Sequence, residues 1–125
     1  MKAIWAGRVL SGLVVLFLTM DAGMKVLSLP PAVEGSTQLG YPESAIVPIG
    51  LILLACLVVY VVPRTAVLGA VLLTGYLGGA IATHVRVGNP LLSHTLFPIY
   101  VAAMVWGGLW LRDGRVRAML APPAR

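Results

Sequence analysis

The sequence predicts an all-α integral membrane protein, a four-helix antiparallel bundle with both termini cytoplasmic. Apolar runs at about residues 3–27, 45–62, 66–85 and 95–111 fill most of the 125 residues, and nearly every charge sits at a run end or in a connection. A helix rises about 1.5 Å per residue and the hydrocarbon core is about 30 Å thick, so roughly 20 apolar residues make one crossing. Composition agrees: mean hydropathy is +0.96, hydrophobic residues make up 59% and charged residues only 10%, where soluble domains carry about a quarter. No separate soluble domain fits in the remainder, so residues 1–125 read as one transmembrane domain.

The first span starts behind Lys2, carries Arg8 within its first turns, and reaches Asp21 and Lys25 near its far end. It has the outline of a signal peptide, but no small-x-small cleavage site follows Thr19-Met20-Asp21, so it is expected to stay as an anchor. Leu29-Pro30-Pro31 ends it, and the polar, turn-rich stretch to Ser44, with Glu34, Gly35, Gly40 and Pro42, reads as one long loop. The second span has no charge; Pro63-Arg64-Thr65 turns it directly into the third, making a tight antiparallel hairpin. Gly88-Asn89-Pro90 marks the next turn, the fourth span stops at Arg112-Asp113-Gly114, and a short, basic, proline-ended tail follows.

Short cytoplasmic loops retain Lys and Arg, which fixes the orientation. With both termini inside, Lys2, Arg8, Arg64, Arg112, Arg115, Arg117 and Arg125 are cytoplasmic and only Lys25 and Arg86 are outside. Trp5 and Trp110 then fall at the inner interface, Tyr41 and Phe97 near the outer one. The formal charge of +5 is scattered over helix ends without a basic stripe, which excludes a nucleic-acid binder. Cys56 is the only cysteine, so neither an intramolecular disulfide nor a thiolate cluster can form.

Antiparallel order brings four span ends to the outer face. They carry Asp21 and Lys25, one helical turn apart and able to pair, Glu43 before span two, His84 and Arg86 closing span three, and Ser93 and His94 opening span four. Ionisable groups at membrane depth are costly unless paired or hydrated, which makes this cluster the candidate site; the competing reading is that ion pairs merely tie helix ends together. His84 and His94 suit proton relay or ligand hydrogen bonding, since imidazole titrates near neutrality. No CxxCH or HExxH accompanies them, and no metal or haem site is predicted.

Span three is rich in small residues (Gly69, Ala70, Gly75, Gly78, Gly79, Ala82), and span four offers Gly107 and Gly108. Such spacing brings helix backbones close in lipid, so spans three and four are expected to pack through these glycines, or against a second protomer. The alternative is a slot for a flat ligand such as a quinone, edged by Tyr76, Tyr100 and Trp106.

Several stretches together resemble the DoxX-like family of small four-span bacterial membrane proteins: Asp21-Ala-Gly-Met-Lys25, Pro63-Arg64-Thr65, Gly75-Tyr-Leu-Gly-Gly79 continuing to His84-Val-Arg86, His94-Thr-Leu-Phe-Pro98, and Trp106-Gly-Gly-Leu-Trp-Leu-Arg112-Asp113. The resemblance implies a four-helix bundle in the bacterial inner membrane and, for some relatives, association with quinone-linked sulfur oxidation or membrane oxidoreductase complexes. It singles out Asp21, Lys25, His84, Arg86 and His94. The chain has no cysteine pair, haem attachment sequence or nucleotide-binding glycine loop, so electron transfer would need a bound quinone or a partner subunit.

The expectation drawn from this is a lipophilic-ligand, quinone-type binding subunit of an oxidoreductase system. Asp21 and His84 would be the catalytic, proton-handling pair, while Lys25, Arg86, His94, Glu43, Tyr76, Tyr100 and Trp106 would bind ligand. Membrane lipid and either a second copy or a partner membrane subunit are the expected partners. The rivals are a non-catalytic assembly protein docking through span three, and a small dimeric transporter. The latter expects a midplane ionisable residue, which the sequence lacks.

Overall fold

The computed structural model describes residues 2–120, with the side chains of Leu91, His94 and Leu120 outside the description. The described residues form helices α1 (Lys2–Val26), α2 (Pro30–Gln38), α3 (Ile46–Val61), α4 (Ala66–Val87), α5 (Phe97–Arg112) and α6 (Gly114–Leu120). Short 3-10 turns at Glu43–Ala45 and Pro63–Thr65 and a π turn at Leu91–Thr95 join them. Three helical segments, Lys2–Val26, Glu43–Val61 and Pro63–Val87, are long and apolar enough to cross a membrane. The fourth apolar helix, α5, has 16 residues and the π turn leads into it.

One difference from the sequence expectation lies in the loop after α1. Pro30 and Pro31 sit in the first turn of α2, where a missing N–H costs nothing and φ is already helical. The nine residues to Gln38 are therefore a helix packed against α1 and α3, in place of part of the loop expected to Ser44. The basic tail likewise begins as α6, capped by Asp113, whose Oδ1 accepts the Arg115 N–H at 2.9 Å; Arg125 lies outside the described residues.

α1 packs on α3 and α5, and α4 packs on the same two helices. Their shared core runs through Val14, Leu18, Ala22, Leu53, Leu57, Tyr60, Ala70, Leu73, Val105 and Leu109. Where close packing needs glycine, it lies elsewhere than expected. A Cβ at Gly69 would overlap the Tyr60 backbone across the α3–α4 hairpin, and one at Gly108 would overlap Ser11 of α1. Gly75, Gly78 and Gly79 meet nothing within 4 Å, so α4 and α5 do not pack through the Gly75-x-x-x-Gly79 pattern. Trp106 Nε1 instead donates to Thr74 Oγ1 at 2.8 Å between them.

At the α1 N-terminal end a buried polar network ties three helices. Tyr60, 1% exposed, donates its hydroxyl to the Val105 carbonyl at 2.8 Å and accepts from Ser11 at 3.1 Å. Arg112 Nε donates to Ser11 Oγ at 3.1 Å, with its guanidinium 5.7 Å from the Tyr60 ring centroid.

Three helix C-termini meet at the other end, all closed the same way. Ser28, Gly40 and Gly88 take positive φ (51°, 91° and 74°). In each case the next residue's N–H reaches back five residues: Leu29 to Met24, Tyr41 to Ser36, Asn89 to His84. These are Schellman caps. They end α1 just past Lys25, α2 just past Ser36 and α4 just past His84, and so bring those side chains together.

Candidate functional site

Between the ends of α1 and α4 and the starts of α3 and α5 lies a chamber of about 400 Å³. Phe17, Leu18, Ile49, Ile52, Leu77 and Val101 give it an apolar wall, and Asp21, Lys25, Tyr76 and His84 line it as well. The Phe17 and Phe97 rings meet edge to face at 5.7 Å across the α1–α5 side. A second, more polar space of about 330 Å³ lies beside α2, bounded by Pro31, Ala32, Gly35, Gln38 and Asn89. Asp21, Lys25, Ser36, Leu39 and His84 border both spaces and form the wall between them.

Lys25 is the centre of the polar group. Its ammonium donates to Asp21 Oδ2 at 2.8 Å and to the Tyr76 hydroxyl at 3.2 Å, joining α1 to α4. The Lys25 side chain is 16% exposed and the Asp21 side chain 37%. The i, i+4 spacing puts both on one helical face, and a cation in the last turn of α1 complements the partial negative charge of the helix C-terminus. Gly50 makes the position possible: a Cβ there would lie 2.7 Å from Lys25 Cβ and 3.1 Å from the Ala22 carbonyl oxygen, so only glycine lets α3 approach α1 this closely.

His84 Nδ1 lies 2.7 Å from Asn89 Nδ2; with the amide nitrogen donating, the neutral ring carries its proton on Nε2. Thr83 donates to the Gly79 carbonyl at 2.8 Å and accepts from Tyr41 at 2.7 Å, which holds the residue after α2 against α4. Arg86 donates to the Leu39 carbonyl at 2.8 Å, fastening the C-terminus of α2.

Asp21, Lys25, Tyr76 and His84 thus surround common space, while the other candidates lie elsewhere. Arg86 borders neither cavity and clasps α2. Glu43 is exposed on its 3-10 turn and borders neither cavity. Tyr100 is 47% exposed and donates to the Leu92 carbonyl at 3.2 Å. Trp106 is occupied with Thr74. The side chain of His94 lies outside the described residues. Ser36, Tyr41, Thr83 and Asn89 were not expected here: the first two lie in or next to a helix read as loop, and Thr83 and Asn89 take part only because the α4 cap folds Asn89 back beside His84. Among the described residues no three His, Cys, Asp or Glu side chains converge as a metal site.

Among the described residues the secondary structure is helical, with three helices long and apolar enough to cross a membrane and a mostly apolar chamber with a polar end, which marks a membrane protein. The model of the DoxX-like family matches residues 9–108, and the chain belongs to that family. No curated protein and no solved structure matches it.

Proposed function

We propose that this chain is a four-helix antiparallel bundle of the bacterial inner membrane, both termini cytoplasmic, and that it binds a small lipophilic molecule of quinone type as a membrane subunit of an oxidoreductase system. The observation that carries this reading is the chamber itself. Its volume falls within the range of small-molecule sites, about 300–1,000 Å³, and its mostly apolar lining with a few convergent polar groups matches their usual chemistry. Lys25 supplies a donor for a carbonyl oxygen, while Asp21 and His84 are placed to exchange protons with a bound head. At about 1.5 Å per residue α5 is short for a full crossing, and the π turn before it together with modest local thinning accommodates the difference. The seven-to-two bias of basic residues supports the orientation.

The test is titration of the purified protein with decylubiquinone, read by quenching of its aromatic fluorescence. Saturable binding is expected, weakened by Gly79→Leu, which places a side chain on the chamber wall. Absence of saturable binding by the unmodified protein removes the reading.

A second reading, a non-catalytic assembly protein, is favoured by one observation: the space around Gly75 and Gly78 is open, leaving a small-residue face on α4 to which a second copy or partner helix can dock. Gly75→Leu would then break the assembly without affecting the chamber. An oligomeric state unchanged by that substitution counts against it.

A further inference from the structure

The two spaces that share the Lys25–His84 wall differ in character. One is walled by aliphatic and aromatic side chains among α1, α3, α4 and α5. The other, beside α2, is bounded by Gln38, Asn89, Ser36 and His84 as well as by Ala32 and Gly35. A purely apolar ligand leaves the second space without a partner of its own kind, and a purely polar one leaves the first. The pair of spaces matches a molecule with two unlike ends.

The charge on the wall is balanced. Among the described residues, apart from His84, Lys25 is the only cation and Asp21 the only anion bordering either space, and they are bonded to each other at 2.8 Å. An anionic head would have to take Lys25 from Asp21, and a cationic head would take Asp21 from the more enclosed Lys25, so either charged head breaks an existing ion pair. The space beside α2 is bordered by the last turns of α1 and α4 and by no residue of α3 or α5, whose N-termini face the chamber, so the nearby α1 and α4 dipole ends further disfavour an anionic head there. Arg86, the nearest further cation on α4, is committed to the Leu39 carbonyl.

We infer that the site selects uncharged amphiphiles, whose apolar part fills the chamber and whose neutral hydrogen-bonding head passes the Asp21–Lys25–His84 wall into the space beside α2. This rests on the lipophilic-ligand reading and names the ligand class within it.

The experiment compares monododecanoyl glycerol, dodecanoate and dodecyltrimethylammonium, equal in chain length and different in head charge, for displacement of bound decylubiquinone from the purified protein. The neutral lipid is expected to bind at least about tenfold more tightly than either charged one, the size of one unmatched charge contact. Gln38→Leu, which removes a polar group bordering only the head space, and Ala32→Leu, which adds bulk there, should each weaken the neutral lipid severalfold. Charged lipids binding as tightly as the neutral one, or a neutral lipid indifferent to both substitutions, overturns the inference while decylubiquinone binding keeps the broader reading. Failure of every probe, decylubiquinone included, removes both.

Discussion

Separating Asp21 from Lys25 gives an asymmetric pair of effects. Asp21→Asn leaves the more enclosed ammonium, 16% exposed, without its counter-ion; Lys25→Met leaves a carboxylate that is 37% exposed and can hydrate. Breaking a fully buried pair costs about 3–5 kcal/mol and an exposed one about 0–1 kcal/mol. Tyr76 remains a partner for Lys25 at 3.2 Å, which places Asp21→Asn near 2 kcal/mol and Lys25→Met near 1 kcal/mol. At roughly 4 °C per kcal/mol for a chain of this size, the melting temperature should fall by about 8 °C and about 4 °C. The double variant should lie close to Lys25→Met alone, since no charge is then left unmatched. Cys56, the only cysteine and 8% exposed in the core, provides the assay: a thiol-reactive fluorophore labels it as the helices separate. Lys25→Met more damaging than Asp21→Asn, or a double variant worse than both, refutes the assignment of the ammonium as the buried partner.

Tyr60→Phe removes a hydroxyl that satisfies the Val105 carbonyl and receives Ser11; a loss of about 1–3 kcal/mol is expected in the same melt, and no change means that the network adds nothing to stability. Ser28→Gly relieves a serine held at φ 51° and should raise stability by about 0.5 kcal/mol, whereas Gly88→Ala, at φ 74°, should lower it by about 1 kcal/mol; the opposite order counts against the caps. Hydrogen bonds from the Arg115 side chain, then its backbone N–H, hold the Asp113 carboxyl below the ordinary carboxylate range. Because the folded value is the lower one, this stabilisation of α6 is complete above the ordinary value near 4 and is lost as pH falls through the folded value. Amide signals of residues 114–120 should therefore hold steady from pH 7 to about 5 and move only below about 4; movement between pH 5 and 6 contradicts the cap.

The long helices and the gathering of Asp21, Lys25 and His84 were legible because lipid imposes them. Apolar length fixes the crossings, charges are expelled to their ends, and alternation determines which ends meet. Two features were illegible for opposite reasons. α2 is polar and contains two prolines and a glycine, so its local composition resembles a turn, and its helicity comes from prolines placed at its first turn and from packing against α1 and α3. The Ser11–Tyr60–Arg112 network sits in apolar runs whose sequence gives no hint of which face is buried. The glycines of α4 and α5 misled because spacing tells that backbones can approach, not which helix does so; Gly69 of α4 meets α3 and Gly108 of α5 meets α1, while Gly75 faces open space.

The placement of the tight contacts also accounts for the chamber lying where it does. Toward the α1 N-terminus, Gly7 and Gly108 let α1 and α5 nearly touch, Gly69 does the same for α3 and α4, and Tyr60 fills what remains between them. Toward the other end Phe17, Tyr76 and Phe97 line the chamber, and Arg86 fastens the chain just after α2 beside it. Between the two ends Val14, Leu53, Leu73 and Val105 are buried with at most 1% exposure, a continuous apolar plug. Carriers expose one site to each side in turn, so the buried residues between the chamber and the α1 N-terminus favour the binding reading over alternating access.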